Sequence, residues 1–324
     1  GNYFMAKTFD VIALGELLID MTPYGVSEQG NAILEVNPGG APCNVLAMAA
    51  KLGSKTAFIG KVGHDQFGNL LKGTLEELDI NTDGLVQDER YCTTMAFVHL
   101  DDTGDRTFSF YRKPGADMML EVGDVREDLI KESKIFHFGT LSMTDEPSLS
   151  ASKHAIELAK KNGCLLSFDP NIRPPLWDSM DNAKAQMAYG LGQCHILKIS
   201  DDEIQLATGC KDLEEAAQVL LEEYPNIKLL FLTMGRKGSR FYYGDKTGTA
   251  ETFLDVKTVD TTGAGDSFTG YCLYYIAKHG LDLDEKTLME MLRFANAAAS
   301  LVTTKKGALK VMPSWDEIQG LVRG

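Results

Sequence analysis

The fold and the chemistry of this chain are decided by the stretch DTTGAGDS, residues 260–267. Residues 253–259, which precede it, are predicted to be extended, and the apolar run at residues 267–277 is predicted to be a buried helix. The stretch is therefore predicted to be a strand-to-helix turn. The first N–H groups of a helix have no intrahelical partner, and the helix dipole favours anions at that end. The turn is thus a candidate anion site.

Two kinds of group in this turn suit the transfer of a phosphoryl group. The N–H groups of Gly263, Ala264 and Gly265 can stabilise developing charge, and Asp266 can accept a proton from an attacking hydroxyl. Simple helix capping is the alternative role for Asp266, because aspartate is common at helix starts. The longer pattern, which begins at Asp260 and includes two threonines, is far more specific than Gly-x-Gly-Asp alone.

A second motif, NPGGAPCN, lies far upstream at residues 37–44. Together the two motifs resemble the N-terminal and C-terminal signatures of the ribokinase-like (PfkB) carbohydrate kinases. The resemblance covers residues 9–313, and the chain is most similar to the fructokinases of that family. It implies a single kinase domain over residues 5–324 that uses ATP and Mg²⁺ to phosphorylate the primary hydroxyl of fructose, giving fructose 6-phosphate.

The composition excludes several other classes of protein. The 324 residues carry a formal net charge of −14, which disfavours a nucleic-acid partner because phosphates would be repelled. No apolar run approaches the ~20 residues that a membrane helix requires, so no membrane partner is expected. The six cysteines are scattered without a Cys-x-x-Cys pair, which is typical of reduced thiols in a cytoplasmic protein.

The pattern of apolar segments predicts an α/β fold. Strand-like runs alternate with helical ones through much of the chain, which indicates a mainly parallel central sheet with helices on both faces. The alternation is broken at residues 93–100 and 106–112, where apolar and polar residues alternate in a strand's period of two around a predicted turn at residues 101–105. We therefore predict that segments at about 16–38 and 91–114 form a small β-sheet lid.

The candidate sugar site combines a carboxylate, an amide and arginines. Asp20 is predicted to lie at the end of the first strand, where it could accept hydrogen bonds from two sugar hydroxyls or simply be a solvated loop residue. Asn44 could contact a hydroxyl or cap a helix. Arg173 suits substrate oxygens or phosphate, or could pair with a nearby Asp. The resemblance adds Gly39, Gly40 and Arg112 to this site.

The nucleotide and cation sites are implied by the resemblance. Glu203 would help to place Mg²⁺ through water, since Mg²⁺ prefers oxygen ligands and keeps waters. Asp260 and the backbone of Thr262, with carbonyls of the loop at residues 302–307, would hold a monovalent cation such as K⁺. The nucleotide-binding residues implied are Lys198, Thr233, Gly235, Gly238 and Asn296.

Two alternatives to fructose phosphorylation stay open at this point. A 2-keto-3-deoxygluconate kinase would use Arg112 and Arg173 to meet a carboxylate, and a non-catalytic sugar-binding protein could keep the same fold. An intact Asp266 argues against the second. Its position at a helix N-terminus predicts a lowered pKa and hence a weak base. Besides sugar and ATP, the expected partner is a second copy of the chain, bound through the lid.

Overall fold

The structure is a computed structural model, and it describes residues 7–102 and 106–324. The strands are β1 Phe9–Leu14, β2 Leu18–Val26, β3 Ala32–Gly39, β4 Thr56–Gly63, β5 Ile80–Asp88, β6 Met95–Leu100, β7 Arg106–Tyr111, β8 Ser133–Phe138, β9 Leu165–Phe168, β10 Ile196–Ser200, β11 Leu229–Thr233, β12 Ser239–Tyr243 and β13 Lys246–Ala250. The helices are α1 Ala41–Lys51, α2 Gln66–Glu77, α3 Glu127–Lys131, α4 Ser148–Lys161, α5 Met180–Leu191, α6 Asp201–Thr208, α7 Leu213–Glu223, α8 Ala264–His279, α9 Glu285–Val302 and α10 Trp315–Arg323.

Nine strands form the large sheet, in the order β13-β12-β11-β10-β9-β8-β1-β4-β5. Neighbouring strands are parallel from β11 to β5, and β12 and β13 add an antiparallel edge. Successive residues of β1 enter different hydrophobic cores, with Val11 and Ala13 on one side and Ile12 and Leu14 on the other. A sheet with helices on both faces buries its strands in this way. The predicted fold class is confirmed.

A smaller sheet has four strands in the order β3-β2-β6-β7. Its strands come from the two segments that the sequence assigns to a lid, and β2 pairs in parallel with β6 while the other pairs are antiparallel. Of the turn predicted at residues 101–105, the positions 103–105 lie outside the described residues. We refer to this sheet as the lid sheet.

The segment before α8 differs from the prediction. Residues 253–259 form no strand and belong to neither sheet. They are anchored instead at their end, where the backbone N–H groups of Val259 and Asp260 donate to the carbonyl of Thr303 at 2.7 and 3.0 Å. The anion-site turn therefore follows a loop held by the end of α9, not a strand.

Across residues 7–102 and 106–324, no helix combines the length and the apolar character that a bilayer crossing would need.

Candidate active site

The start of α8 is open on its outer side. Gly263 adopts a left-handed conformation with φ of 80°, and a Cβ there would lie 2.4 Å from the Cβ of Ala308. The N–H of Ala264 donates to the carbonyl of Thr261 at 3.3 Å. Among residues 7–102 and 106–324, no acceptor is found for the N–H groups of Gly265 and Asp266. Two unused donors at a helix N-terminus fit an incoming anion.

The carboxylate of Asp266 is held by α1. The side-chain Nδ2 of Asn44 donates to Asp266 Oδ2 at 2.9 Å, although the two residues are 222 positions apart. Burial, followed by repulsion from Asp169, raises the pKa of Asp266 to about 6, against the lowering effects of Asn44, Lys198 and Arg173. The prediction of a lowered pKa is wrong, because burial and a second carboxylate outweigh the helix dipole.

Lys198 lies directly beside the anion-site turn. Its Nζ is 3.2 Å from Asp169 Oδ2, and a Cβ added to Gly265 would come within 2.8 Å of the same Nζ. Burial alone would lower the pKa of Lys198, but the neighbouring carboxylates, Asp169 foremost, leave that pKa above its usual range. The ammonium therefore lies close to Gly265 in the anion-site turn.

Asp20 lies within the lid sheet and not at the end of the first strand of the large sheet. It is part of β2, opposite Asn37 of β3, because the chain crosses directly from β1 into the lid sheet. Burial raises the pKa of Asp20 to about 6, while Arg173 lowers and Asp260 raises it. A Cβ on Gly39 would lie 2.2 Å from Asp20 Oδ2, so this glycine makes room for the carboxylate.

Gly40 completes the glycine pair at the start of α1. Its φ is 130°, and a Cβ there would lie 2.5 Å from the carbonyl oxygen of Glu16. The carboxylate of Glu16 in turn accepts a hydrogen bond from the N–H of Ala41 at 3.0 Å. The turn thus sets the angle at which α1 brings Asn44 to the site. The Oδ1 of Asn44 is buried and has no hydrogen-bond partner within the described chain.

The two arginines predicted at the sugar site lie in different surroundings. Arg112 is buried, forms an ion pair with Asp117 at 2.9 Å, and donates to Thr144 Oγ1 and to the carbonyl of Leu141. Its guanidinium therefore supports the structure under the lid sheet. Arg173 is exposed and, within the described chain, has no ion pair or hydrogen bond to its guanidinium.

The predicted nucleotide residues lie within β10, at the end of β11 and in the turn after it, and in α9. Thr233 ends β11, and Gly235 and Gly238 follow it in a tight turn. Asn296 is buried in α9, and both ends of its amide are used: Oδ1 accepts from Ser239, while Nδ2 donates to the carbonyls of residues 250 and 251. These bonds fix the β12–α9 packing, so the geometry gives Asn296 a structural role.

The predicted metal residues are also engaged with the protein. Glu203 forms a capping box with Ser200 at the start of α6 and accepts a hydrogen bond from the N–H of Ile172 at 2.8 Å. Asp260 accepts from the N–H and Oγ1 of Thr262 and from the N–H of Gly307. Within residues 7–102 and 106–324, no three His, Cys, Asp or Glu side chains cluster as metal ligands would.

Two buried carboxylates of the site lie outside the residues that the sequence singles out. Asp169 opens the DPNIR stretch that carries Arg173, and Glu16 lies four residues before Asp20. Burial raises the pKa of Glu16 to about 7. In the sequence, each of these carboxylates is marked only by its place just after an apolar strand. Solvent-exposed carboxylates are also common at such places, so this position does not identify a site residue.

Comparisons with known proteins agree with this geometry. The family described as "pfkB family carbohydrate kinase" matches residues 8–315. The chain is 43% identical over 307 residues to a probable fructokinase-2 of Arabidopsis thaliana, covering 94% of this chain and 93% of that protein.

Solved structures match over similar lengths. A fructokinase from Xylella fastidiosa with bound ATP has a TM-score of 0.89 and 32% identity, covering 97% of this chain and 98% of that one. A double-mutant fructokinase from Vibrio cholerae O395, with fructose, ADP and a potassium ion bound, has a TM-score of 0.87 and 29% identity, covering 98% and 99%.

Proposed function

The chain belongs to the pfkB family of carbohydrate kinases, and on that premise we propose that it transfers the γ-phosphoryl group of ATP to the primary hydroxyl of fructose. The product would be fructose 6-phosphate. The observation that carries the proposal is the carboxylate of Asp266 beside two free N–H groups at the start of α8. A base next to an anion site is what phosphoryl transfer to a hydroxyl requires.

Asp266 acts as the general base in this proposal. With a pKa of about 6, it is mostly ionised at pH 7 and takes up a proton more readily than an ordinary aspartate. The fructose hydroxyl attacks the γ-phosphorus in line as its proton passes to Asp266. The N–H groups of Gly265 and Asp266 stabilise the charge on the equatorial oxygens.

The sugar is oriented by groups from three elements. Asp20 accepts hydrogen bonds from ring hydroxyls, and the unpaired Oδ1 of Asn44 accepts another. Gly39 leaves the space for the Asp20 carboxylate, and Gly40 allows the close turn that leads into α1, which carries Asn44. The guanidinium of Arg173 has no ion pair or hydrogen bond within the described chain, and it can reach either the sugar oxygens or a phosphate.

Lys198 meets the phosphates, with Thr233, Gly235 and Gly238 at the ribose and adenine side. Mg²⁺ would neutralise the β- and γ-phosphate oxygens; Glu203 would hold it through water, as suits an ion that keeps most of its hydration shell. K⁺ would bind beside Asp260, whose carboxylate already organises Thr262 and Gly307 around it. Activity in K⁺ should therefore exceed activity in Li⁺ at equal ionic strength.

Fructose is favoured over 2-keto-3-deoxygluconate by the position of Arg112. A carboxylate substrate is best held by two arginines, but Arg112 is already paired with Asp117. The test is an ADP-coupled assay that compares kcat/KM for the two sugars at saturating ATP. We expect higher kcat/KM for fructose; a clear preference for the acid sugar would refute the substrate assignment, and no ADP release with either would favour a non-catalytic protein.

We further propose that the protein dimerises through the lid sheet. Within the described residues, eight large apolar side chains are exposed there: Tyr24, Val26, Ile33, Leu34, Val36, Leu100, Phe108 and Tyr111. They lie on both faces of the sheet, since successive residues such as Ile33 and Leu34 point in opposite directions. Exposed apolar surface of this kind is typical of an interface. Sedimentation velocity should show a dimer that Phe108→Glu dissociates, whereas Leu70→Glu, at an exposed position outside the lid sheet, should not. A monomeric unmodified chain would refute this proposal.

The cytoplasm is the proposed location. It rests on the cysteine pattern, since all six cysteines are free and four of them are buried.

A further inference from the structure

Asp169 is a buried carboxylate for which the proposed mechanism has no role. It follows β9 directly, and its side chain is 6% exposed. Its Oδ1 accepts a hydrogen bond from the N–H of Asn171 at 3.2 Å, and its Oδ2 lies 3.2 Å from Lys198 Nζ. A buried charge held this closely to a catalytic lysine calls for an explanation beyond packing.

Lys198 is surrounded by three carboxylates. Asp169, Glu203 and Asp266 all raise its pKa, but within the described residues only Asp169 lies within 4 Å of Nζ. Glu203 is occupied by its capping box and by the N–H of Ile172. Without Asp169, Glu203 attracts the ammonium more strongly than Asp266 does but is held by these N–H groups, so Asp266, which is adjacent to Gly265 in the chain, is the carboxylate toward which Nζ can move.

We propose that Asp169 is a positioning residue, which holds the Lys198 ammonium beside Gly265 so that it meets the transferred phosphate and does not pair with Asp266. The assignment depends on the geometry of this ion pair and on the clearance at Gly265, where a methyl group would displace Nζ. It rests on the proposed function and adds a residue to it.

The charges that face Asp266 come from the segment after β9 and from β10. Asp169 raises its pKa, Lys198 of β10 and Arg173, which lies four residues after Asp169, lower it, and Asn44 of α1 lowers it by donating a hydrogen bond. Neutralising Asp169 removes its repulsion of the Asp266 carboxylate. It also frees the Lys198 ammonium to approach Asp266. Both effects lower the pKa of Asp266. The acid limb of the pH–kcat profile should report that change.

The experiment is Asp169→Asn, which keeps an oxygen for the N–H of Asn171. We expect the acid limb of kcat to move down by about one pH unit, the low end of the effect of one nearby charge. We also expect kcat at pH 7.5 to fall about tenfold, because Lys198 then pairs with the base, with KM for fructose unchanged. An acid limb that stays in place would overturn the proposal.

A matched control is available in a second buried pair. Asp88 lies 3.2 Å from Lys61, with side chains 5% and 3% exposed, at the other end of the large sheet. Asp88→Asn should lower the melting temperature as Asp169→Asn does but leave the pH profile unchanged. If Asp169→Asn does not fold, Asp169→Glu is the second variant, because it keeps the negative charge. An acid limb of kcat at the same pH as in the unmodified protein would support the proposal. An acid limb lowered by a full pH unit would refute it.

A double-mutant cycle separates action through Lys198 from a general effect. In a Lys198→Met background, adding Asp169→Asn should reduce kcat less than twofold further, because the residue to be positioned is gone. An additional tenfold loss would contradict the proposed route. A failure of the proposed function would be recognised separately, because the unmodified protein would then release no ADP with fructose.

Discussion

Replacing Asp266 by Asn should make the protein both less active and more stable. The carboxylate is held in a position that raises its pKa from 3.8 to about 6, chiefly through burial, so the ionised form is unfavourable in the folded state. A shift of roughly two units corresponds to about 3 kcal/mol, at about 1.4 kcal/mol per unit. Because Asp266 keeps some exposure, we expect ~1–2 kcal/mol of stabilisation, or about 2 °C in Tm.

The pH dependence gives the sign of the effect. The folded pKa of Asp266 exceeds the unfolded value, so the ionised carboxylate destabilises the fold at pH 7. As the pH falls through about 6, the folded state takes up a proton that the unfolded state does not, and the penalty disappears by pH 4. The Tm difference between Asp266→Asn and the unmodified protein should be largest above pH 7 and vanish toward pH 4.

Thermal unfolding from pH 4 to 8 tests the expected gain in stability of Asp266→Asn, and the ADP-coupled assay tests its expected loss of activity. Turnover should fall by ~10²–10⁴, the usual loss for a general base. Asp65→Asn is the control of opposite sign: burial alone would raise the pKa of Asp65, but hydrogen bonds from Thr93 and Gly68 leave it lowered, so this variant should lose stability at pH 7. A destabilised Asp266→Asn, or one with near-normal turnover, would refute the reasoning.

Three further outcomes are expected. Sugar with a nucleotide analogue should slow amide hydrogen exchange in residues 16–38 and 91–114, as the lid sheet closes over the site; equal exchange with and without sugar would contradict closure. Arg173→Lys should lower kcat/KM for fructose by ten- to a hundredfold at unchanged Tm, whereas Arg112→Lys should mainly lower Tm, because its partners are buried; the reverse pattern would exchange their roles. The unmodified protein should gain Tm from pH 8 to 6, because burial raises the pKa of Glu16 to about 7 and the fold binds that proton; a falling Tm would contradict this.

Most of the fold could be predicted because most of its strands and helices have a recognisable pattern of apolar residues or caps in their own sequence. An aspartate just before a helical run is a typical cap, and Asp65 Oδ1 accepts from the N–H of Gly68 at the start of α2. Strand β5, with Gly84 and polar residues in its sequence, lacks an apolar run, and it is held by pairing with β4. Helix α10 was not among the predicted elements, although Ser314 and Glu317 form a capping box at its start; its nine residues pack against α9.

The residue types of the site could be predicted from the sequence, but the contacts between them could not. In the sequence, Arg112 and Arg173 are equally good candidates for binding substrate, and only the fold places Asp117 against Arg112. The pKa of Asp266 could not be read from its helix position, because it depends on burial and on Asp169, which arrives from a different strand. Asn296 likewise lies in the expected helix, yet its amide is used by the neighbouring hairpin.

The close approach of Lys198 to Gly265 links two positions that are 67 residues apart in the chain. A methyl group at position 265 would meet only the tip of a flexible side chain, so its effect would fall on the ammonium and leave the backbone in place. Any side chain at position 265 should therefore cost activity through the displaced ammonium while the fold survives. A library that randomises position 265 should return only glycine when it is selected for activity, and should also return alanine when it is selected for folding alone.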